Sequence, residues 1–183
     1  MRSAPPRVRT ALPPPFRWHP VATTPLKSFS TFPAPYFHNV LGPVVDEIVG
    51  TFFLALFVYA VTDELALAPG SNLGPLIVGF IVLAVGISFG ANSGYAINPA
   101  RDFGPRLFAW AAGWGKLAMP GDYGWVNTYF WVPIVAPLIG AALAVPVYDI
   151  GVRKILIARQ EAAEPGEAGE VPGQGPPPGT LET

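Results

Sequence analysis

Residues 90–110 read GANSGYAINPARDFGPRLFAW, an irregular glycine-containing stretch that turns into a helix start carrying two opposite charges. Asn98 is a residue type that caps helices, Pro99 suits the first helical position because its missing N–H has no partner there in any case, and Ala100 continues the helix. The apolar part that follows, Leu107 to Ala112, is too short to cross the ~30 Å of a hydrocarbon core and predicts a half-helix over about 98–112. Non-helical backbone at membrane depth is tolerated only where protein buries it or where it lines a watery cavity, so residues 90–97 are predicted to line one. A helix N-terminus carries roughly half a positive charge, and Arg101 adds a full one beside it, which repels cations. Taken alone, NPA reads equally well as a surface loop that starts an ordinary helix; the flanking sequence decides between the two.

The flanks are those of a membrane protein. Of the 183 residues 51% are hydrophobic and only 13% charged, and the mean hydropathy is +0.40, whereas about a quarter of the residues of an ordinary globular domain are charged. The absence of cysteine excludes disulfides and a zinc–thiolate site, and a net charge of -1 gives no reason to expect a nucleic-acid partner.

Three apolar runs surround the central stretch. The first, Ile48–Val61, is about 21 Å long as a helix and must extend to span. Asp63 and Glu64 limit it on one side, so it extends back toward Leu41 and carries at least one of Asp46 and Glu47 into the membrane, giving a span over 41–62. Intramembrane acids are functional candidates; the pair equally marks a helix start at the interface. A turn signal at 69–72 precedes a second predicted span, 73–90, whose Gly79, Ala84, Gly86, Ser88 and Gly90 are small enough for close helix packing. Trp110, Trp114, Trp125, Tyr129 and Trp131 read as an interfacial aromatic belt before a third span, 129–150. Arg153, Lys154 and Arg159 after it place the C-terminus in the cytoplasm, although the basic N-terminal segment pulls the other way for three spans. Residues 1–28, basic and proline-rich without the apolar core of a signal peptide, and residues 158–183, rich in Glu, Pro and Gly, are both expected to be disordered.

GYAINPARDFGPRLFAWAAGWG, followed by FWVPIVAPLIGA and preceded by FSTFPAPY from Phe29, resembles the second half of aquaglyceroporins, the glycerol-conducting branch of the aquaporin or major intrinsic protein family. The resemblance extends over 29–157 and implies an all-α membrane fold, with about three transmembrane helices and one re-entrant NPA half-helix, that is, one of the family's two inverted repeats. The first repeat is absent from this sequence. The resemblance further implies that Asn98 donates its amide to the passing hydroxyl or water, that Pro99 and Ala100 stack the two half-helix ends, and that Arg101, Tyr95 and Gly86 form the selectivity filter. Gly86 stands where water-selective members have histidine, and Asp102 where they usually have serine. Glu47 matches the buried glutamate that supports the re-entrant loop.

A glycerol molecule has hydroxyls on one edge and C–H bonds on the other. Arg101 would supply fixed donors, Tyr95 an apolar wall, and the carbonyls of Ser93, Gly94, Tyr95 and Ala96 acceptors, with Glu47 taking the loop's N–H groups. The expected function is passive conduction of glycerol, other small uncharged polyols and water through a multi-pass channel of the plasma membrane, a homotetramer in the full-length family form, without cofactor, metal or nucleic acid. The alternative is a non-conducting membrane subunit that associates with full-length channels. An enzyme built on Asp46, Glu47, Asp102 and Arg101 is the weakest reading, because no nucleophile–base pair or metal-ligand cluster accompanies them and His19 and His38 both precede the first span.

Overall fold

The computed structural model describes residues 26–65 and 69–163. The described residues form a helical assembly: a single turn over 26–29, then α1 (Leu41–Thr62), α2 (Gly74–Phe89), α3 (Pro99–Ala109), α4 (Val132–Tyr148) and α5 (Lys154–Ala163). Most of the two segments expected to be disordered lies outside the described residues. At their inner ends, however, residues 26–28 are helical with Leu26 buried against Ala109 and Ala118, and residues 158–163 belong to α5.

Helices α1 and α4 form the core pair. The buried residues of α1 are Pro43, Asp46, Glu47, Gly50 and Thr51, and those of α4 include Val132, Pro133, Ala136, Pro137, Gly140 and Ala144. Spacings of three and four put each set on one helical face. Gly140 lets the two backbones touch: a Cβ there would lie 2.3 Å from the carbonyl oxygen of Ile48 and 3.0 Å from the nitrogen of Phe52. Close approach through small residues is how helices associate where lipid removes the hydrophobic drive. At the far end of the pair, the Tyr148 hydroxyl donates to Asp63 at 2.9 Å, and Arg153 stands 3.9 Å from the same carboxylate. The Leu65 N–H and the Tyr148 hydroxyl together hold the Asp63 carboxyl below its ordinary range.

Two helical stretches are long and apolar enough to span a membrane, Leu41–Thr62 and Tyr129–Ala162. The second runs from a short 3₁₀ turn through α4 and a π-helical turn, Asp149–Arg153, into α5, so the helix continues beyond the expected limit at 150. α2 differs from expectation. It is helical over 16 residues, about 24 Å, rather than the full 73–90, because the chain leaves the helix at Gly90 to enter the re-entrant loop. Of α2 only Val85 is buried; Leu76, Phe80, Leu83 and Ile87 are exposed apolar residues.

Tyr129 is a second departure. Expected in the aromatic belt, it is instead fully buried in the core with Tyr123, Val126, Val132 and Ala136, while Trp110 and Trp125 remain exposed. Its hydroxyl reaches the Ser93 carbonyl, which draws the ring inward.

Gly140→Leu should force α1 and α4 apart, because the obstructing atoms are backbone and cannot rotate away. We expect a loss of about 1–3 kcal/mol, read as a lower thermal midpoint in detergent. Gly79→Ala, with nothing within 4 Å of the added carbon, should leave it unchanged or raise it slightly.

Candidate functional site

The site begins with backbone that has no helix to satisfy it. Between α2 and α3 the chain adopts left-handed φ values at Gly94 (+89°), Tyr95 (+43°) and Ile97 (+43°). For non-glycine residues this costs about 1–3 kcal/mol each and persists only where surrounding contacts impose it. Glu47 imposes it here. Its Oε1 accepts the Ala96 N–H and its Oε2 the Ile97 N–H, both at 2.8 Å, so that one carboxylate takes two successive peptide donors. The Ser93 hydroxyl adds a third bond to Oε1 at 2.6 Å. Asp46, one residue earlier, accepts the Asn92 side-chain amide at 2.7 Å and the Ser93 hydroxyl at 2.5 Å. Both acids are buried and face the loop rather than standing at the interface.

α3 starts where the loop ends. The Asn98 side-chain oxygen accepts the N–H groups of Ala100 at 2.9 Å and Arg101 at 3.3 Å, an N-cap with Pro99 behind it. That use of the oxygen leaves the amide nitrogen free of the cap. The helix is 11 residues long and ends at Ala109, short of the expected 112, in a π-helical turn over Trp110–Trp114 that bends at Gly113 (φ +95°).

A second support holds α3 from its other face. Asp102 and Arg106, one turn apart, are both fully buried and paired at 2.7 Å. Thr31 donates its N–H and its hydroxyl to Asp102, each at 2.6 Å, and accepts from Arg106 through its carbonyl at 2.6 Å. The remaining guanidinium nitrogen donates to the Ala118 carbonyl and the Tyr123 hydroxyl, and the rings of Phe32 and Tyr129 lie about 5.5 Å from the guanidinium carbon. Sequence reasoning places Asp102 among the supports but misses Arg106, Thr31, Asn92 and Tyr123. The four-residue spacing of Asp102 and Arg106 is a signal for the pair; nothing local points to Thr31, 71 residues away from Asp102.

Gly86, Tyr95 and Arg101 come together. The Tyr95 ring lies over α2, where a Cβ at Gly86 would meet it at 3.3 Å, and the Arg101 guanidinium sits above the same ring, 5.5 Å from its centroid. Asn98, Ala100 and Arg101 are exposed, and Pro99 and Gly86 half-buried. Beside Arg101 opens a cavity of about 430 Å³ bordered by Ser30, Thr31, Phe32, Gly94 and Tyr95. The four carbonyls expected to line a conduit divide into two pairs. Gly94 and Tyr95 belong to accessible residues, but Ser93 and Ala96 have no exposed surface, a correction to the expectation for those two. The Tyr129 hydroxyl occupies the Ser93 carbonyl at 3.3 Å, and Ala96 is drawn inward by its bond to Glu47.

The sequence profile of the major intrinsic protein family matches residues 18–148. The chain is 38% identical to human aquaporin-10 over 139 residues, 76% of this chain and 44% of that protein. It is 45% identical to the propanediol uptake facilitator PduF of Salmonella typhimurium over 128 residues, 70% of this chain and 47% of that one. Among solved structures, the aquaglyceroporin from Plasmodium falciparum superposes with a TM-score of 0.64 at 33% identity, covering 72% of this chain and 52% of that chain. The chain therefore spans less than half the length of the two named relatives.

The two arginines of α3 should separate cleanly on substitution. Arg106→Leu leaves the Asp102 charge buried and unpaired, which costs about 3–5 kcal/mol. Arg101→Leu removes an exposed side chain and should leave the thermal midpoint nearly unchanged, in detergent or lipid; equal losses would mean that the buried pair does not hold α3.

Proposed function

The chain belongs to the major intrinsic protein family, and from that premise we propose that it supplies half of the wall, and one side of the filter, of a membrane channel conducting glycerol, related small uncharged polyols and water. The observation that carries this reading is the stacking of Arg101 over Tyr95 beside a glycine, Gly86, at the end of a half-helix. A polyol entering there finds donors that stay charged at any physiological pH along one edge, an aromatic face for its C–H bonds along the other, and space where an imidazole would narrow the passage. The Gly94 and Tyr95 carbonyls offer acceptors on accessible residues. The Asn98 amide nitrogen, not used by the cap, is the donor at the helix start. The positive end of α3 and Arg101 exclude cations and protons by charge, while neutral solutes pass. One relative is named for propanediol uptake and the matching solved structure is that of an aquaglyceroporin, which supports a small polyol as the solute class.

In this reading Arg153, Lys154 and Arg159 keep the α5 end cytoplasmic in the plasma membrane, and the assembled channel is a homotetramer. The facing wall comes from a second segment of inverted topology. A second reading applies to the 183 residues by themselves: the exposed apolar surface of α2 and the exposed start of α3 favour a subunit that does not conduct until that surface is covered.

Two flux measurements test these readings. In a complete channel made by joining this chain to the first repeat of a relative, Gly86→His should reduce glycerol flux at least tenfold while water flux changes little, since the imidazole must displace the Tyr95 ring. An equal fall in both, at normal surface expression, points to general blockage and removes Gly86 from the filter.

The 183 residues reconstituted by themselves in liposomes should give no glycerol-driven swelling above empty vesicles, because unpaired polar backbone in lipid costs several kcal/mol per group and the loop lacks its facing half. Robust swelling that Asn98→Asp abolishes would overturn the second reading.

A further inference from the structure

The Ser93 hydroxyl, fully enclosed, lies 2.5 Å from Oδ2 of Asp46 and 2.6 Å from Oε1 of Glu47. Asp46 Oδ1 accepts the Asn92 amide at 2.7 Å, and the two oxygens of Glu47 accept the Ala96 and Ile97 N–H groups at 2.8 Å. Five contacts thus converge on two carboxyl groups. The donors supply four hydrogens: two from the peptide N–H groups, one from the Asn92 amide and one from the single hydroxyl. Both Ser93 contacts are at hydrogen-bond length, yet one hydroxyl hydrogen can occupy only one of them. Without a further proton the other would press the lone pairs of a neutral oxygen against those of a carboxylate.

We propose that Asp46 and Glu47 hold one proton between them across the Ser93 hydroxyl, and that Asp46 is thereby a positioning residue of the re-entrant loop, acting through Ser93 and Asn92. Its place in a channel rests on the function proposed above; the proton count does not. The proton belongs to the pair rather than to either residue.

The surroundings leave that role to the proton. On the loop side the Tyr129 hydroxyl donates to the Ser93 carbonyl and the Tyr36 hydroxyl to the Asn92 side-chain oxygen. On α3, Arg106 is engaged with Asp102 and Thr31, and Arg101 lies over Tyr95. α2 carries no charged residue, and α4 carries only Tyr148 as a titratable group, bonded to Asp63 at its far end. His38 is exposed on the loop before α1. Among the described residues no cation is paired with Asp46 or Glu47, so a shared proton is what reduces two adjacent negative charges to one. Asp46 also borders an outer groove with Tyr36, Leu41, Val45 and Asn92, through which the proton exchanges with solvent without crossing the loop.

The consequence has a definite sign. With the proton in place Ser93 bridges both acids and the loop is tied to α1 at Asn92, Ser93, Ala96 and Ile97. As pH rises and the proton leaves, two negative charges compete for one hydroxyl hydrogen and the bridge opens next to Gly94 and Tyr95. The support is therefore complete at neutral pH and lost on the alkaline side.

Infrared spectroscopy of the full chain in lipid reads the proton directly. The wild type should show the C=O stretch of a protonated carboxylic acid at neutral pH, lost on alkaline titration together with a fall in thermal midpoint. Asp46→Asn should remove the band yet keep the neutral-pH midpoint and abolish its alkaline fall, because the amide can donate to Ser93 and accept from Asn92 as the neutral acid does. Asp46→Ala, which can do neither, should lower the midpoint at every pH. No acid band in the wild type at neutral pH, a band unchanged in Asp46→Asn, an alkaline fall that survives in Asp46→Asn, or an Asp46→Ala midpoint equal to wild type would each overturn the proposal. No solute flux enters the measurement, so its failure and that of the channel reading are separate results.

Discussion

A stretch of peptide that is neither helix nor strand, set between apolar helices, has N–H groups that only the protein can pair. The bond of Glu47 to the successive N–H groups of Ala96 and Ile97 meets that constraint, and the rest of the arrangement follows from it. It holds two non-glycine residues, Tyr95 and Ile97, in the left-handed region. It brings Asn98 to the point where its side chain caps α3. For Glu47 to reach the loop, α1 must carry an acid on its buried face, next to the glycine and small residues that let α4 approach closely. A carboxylate suits the task because it offers two acceptor oxygens and no donor, matching backbone that presents only donors there.

The half-helix is held at its other face by different chemistry. At 11 residues α3 offers little apolar surface; its buried residues are Asp102, Arg106 and Ala109. A buried ion pair is stabilising only when its remaining hydrogen-bonding groups are matched. Here they are: Thr31 takes both roles toward the pair, Ala118 and Tyr123 accept from the guanidinium, and two rings cover it. The segment before α1 is thereby bound to α3 across 71 positions of sequence. Between these two supports Arg101 and Tyr95 remain at the surface, facing the cavity instead of the core. The most constrained backbone of the molecule thus carries its most accessible charged side chain near the loop. Fixed donors beside an open space are what a neutral polyol requires of a filter, whereas donors on a mobile loop would need to be ordered at each passage.

Sequence reading is reliable where the signal is local or repeated. The half-helix start follows from the Asn–Pro pair, and the first and third spans from apolar length, because capping and hydrocarbon thickness act on neighbouring residues. It misjudges features that depend on a distant partner. α2 stops at 16 residues because the loop departs at Gly90, although the apolar run continues. Tyr129 reads as an interfacial aromatic, yet its hydroxyl finds Ser93 and the ring is buried. Residues 158–163 have tail-like composition but continue a helix already nucleated by α4. Adding to a formed helix fixes one residue per hydrogen bond and avoids the cost of a new nucleus.

The sequence by itself determined that the chain is a helical membrane protein with a helix beginning at Asn98 inside it, and it singled out Glu47, Asp102, Arg101, Tyr95 and Gly86 as the residues to watch. Only the tertiary structure decided how they are used: that Arg106 completes the Asp102 pair, that Ser93 and Ala96 turn inward while Gly94 and Tyr95 stay accessible, and that Asp46 joins Glu47 on one hydroxyl. The physical reason is range. Apolar length, helix caps and charge bias are set by residues within a few positions of one another, whereas a buried polar group takes its partner from whichever element is packed against it. For the acids of α1 that partner lies 46 to 50 residues further along the chain.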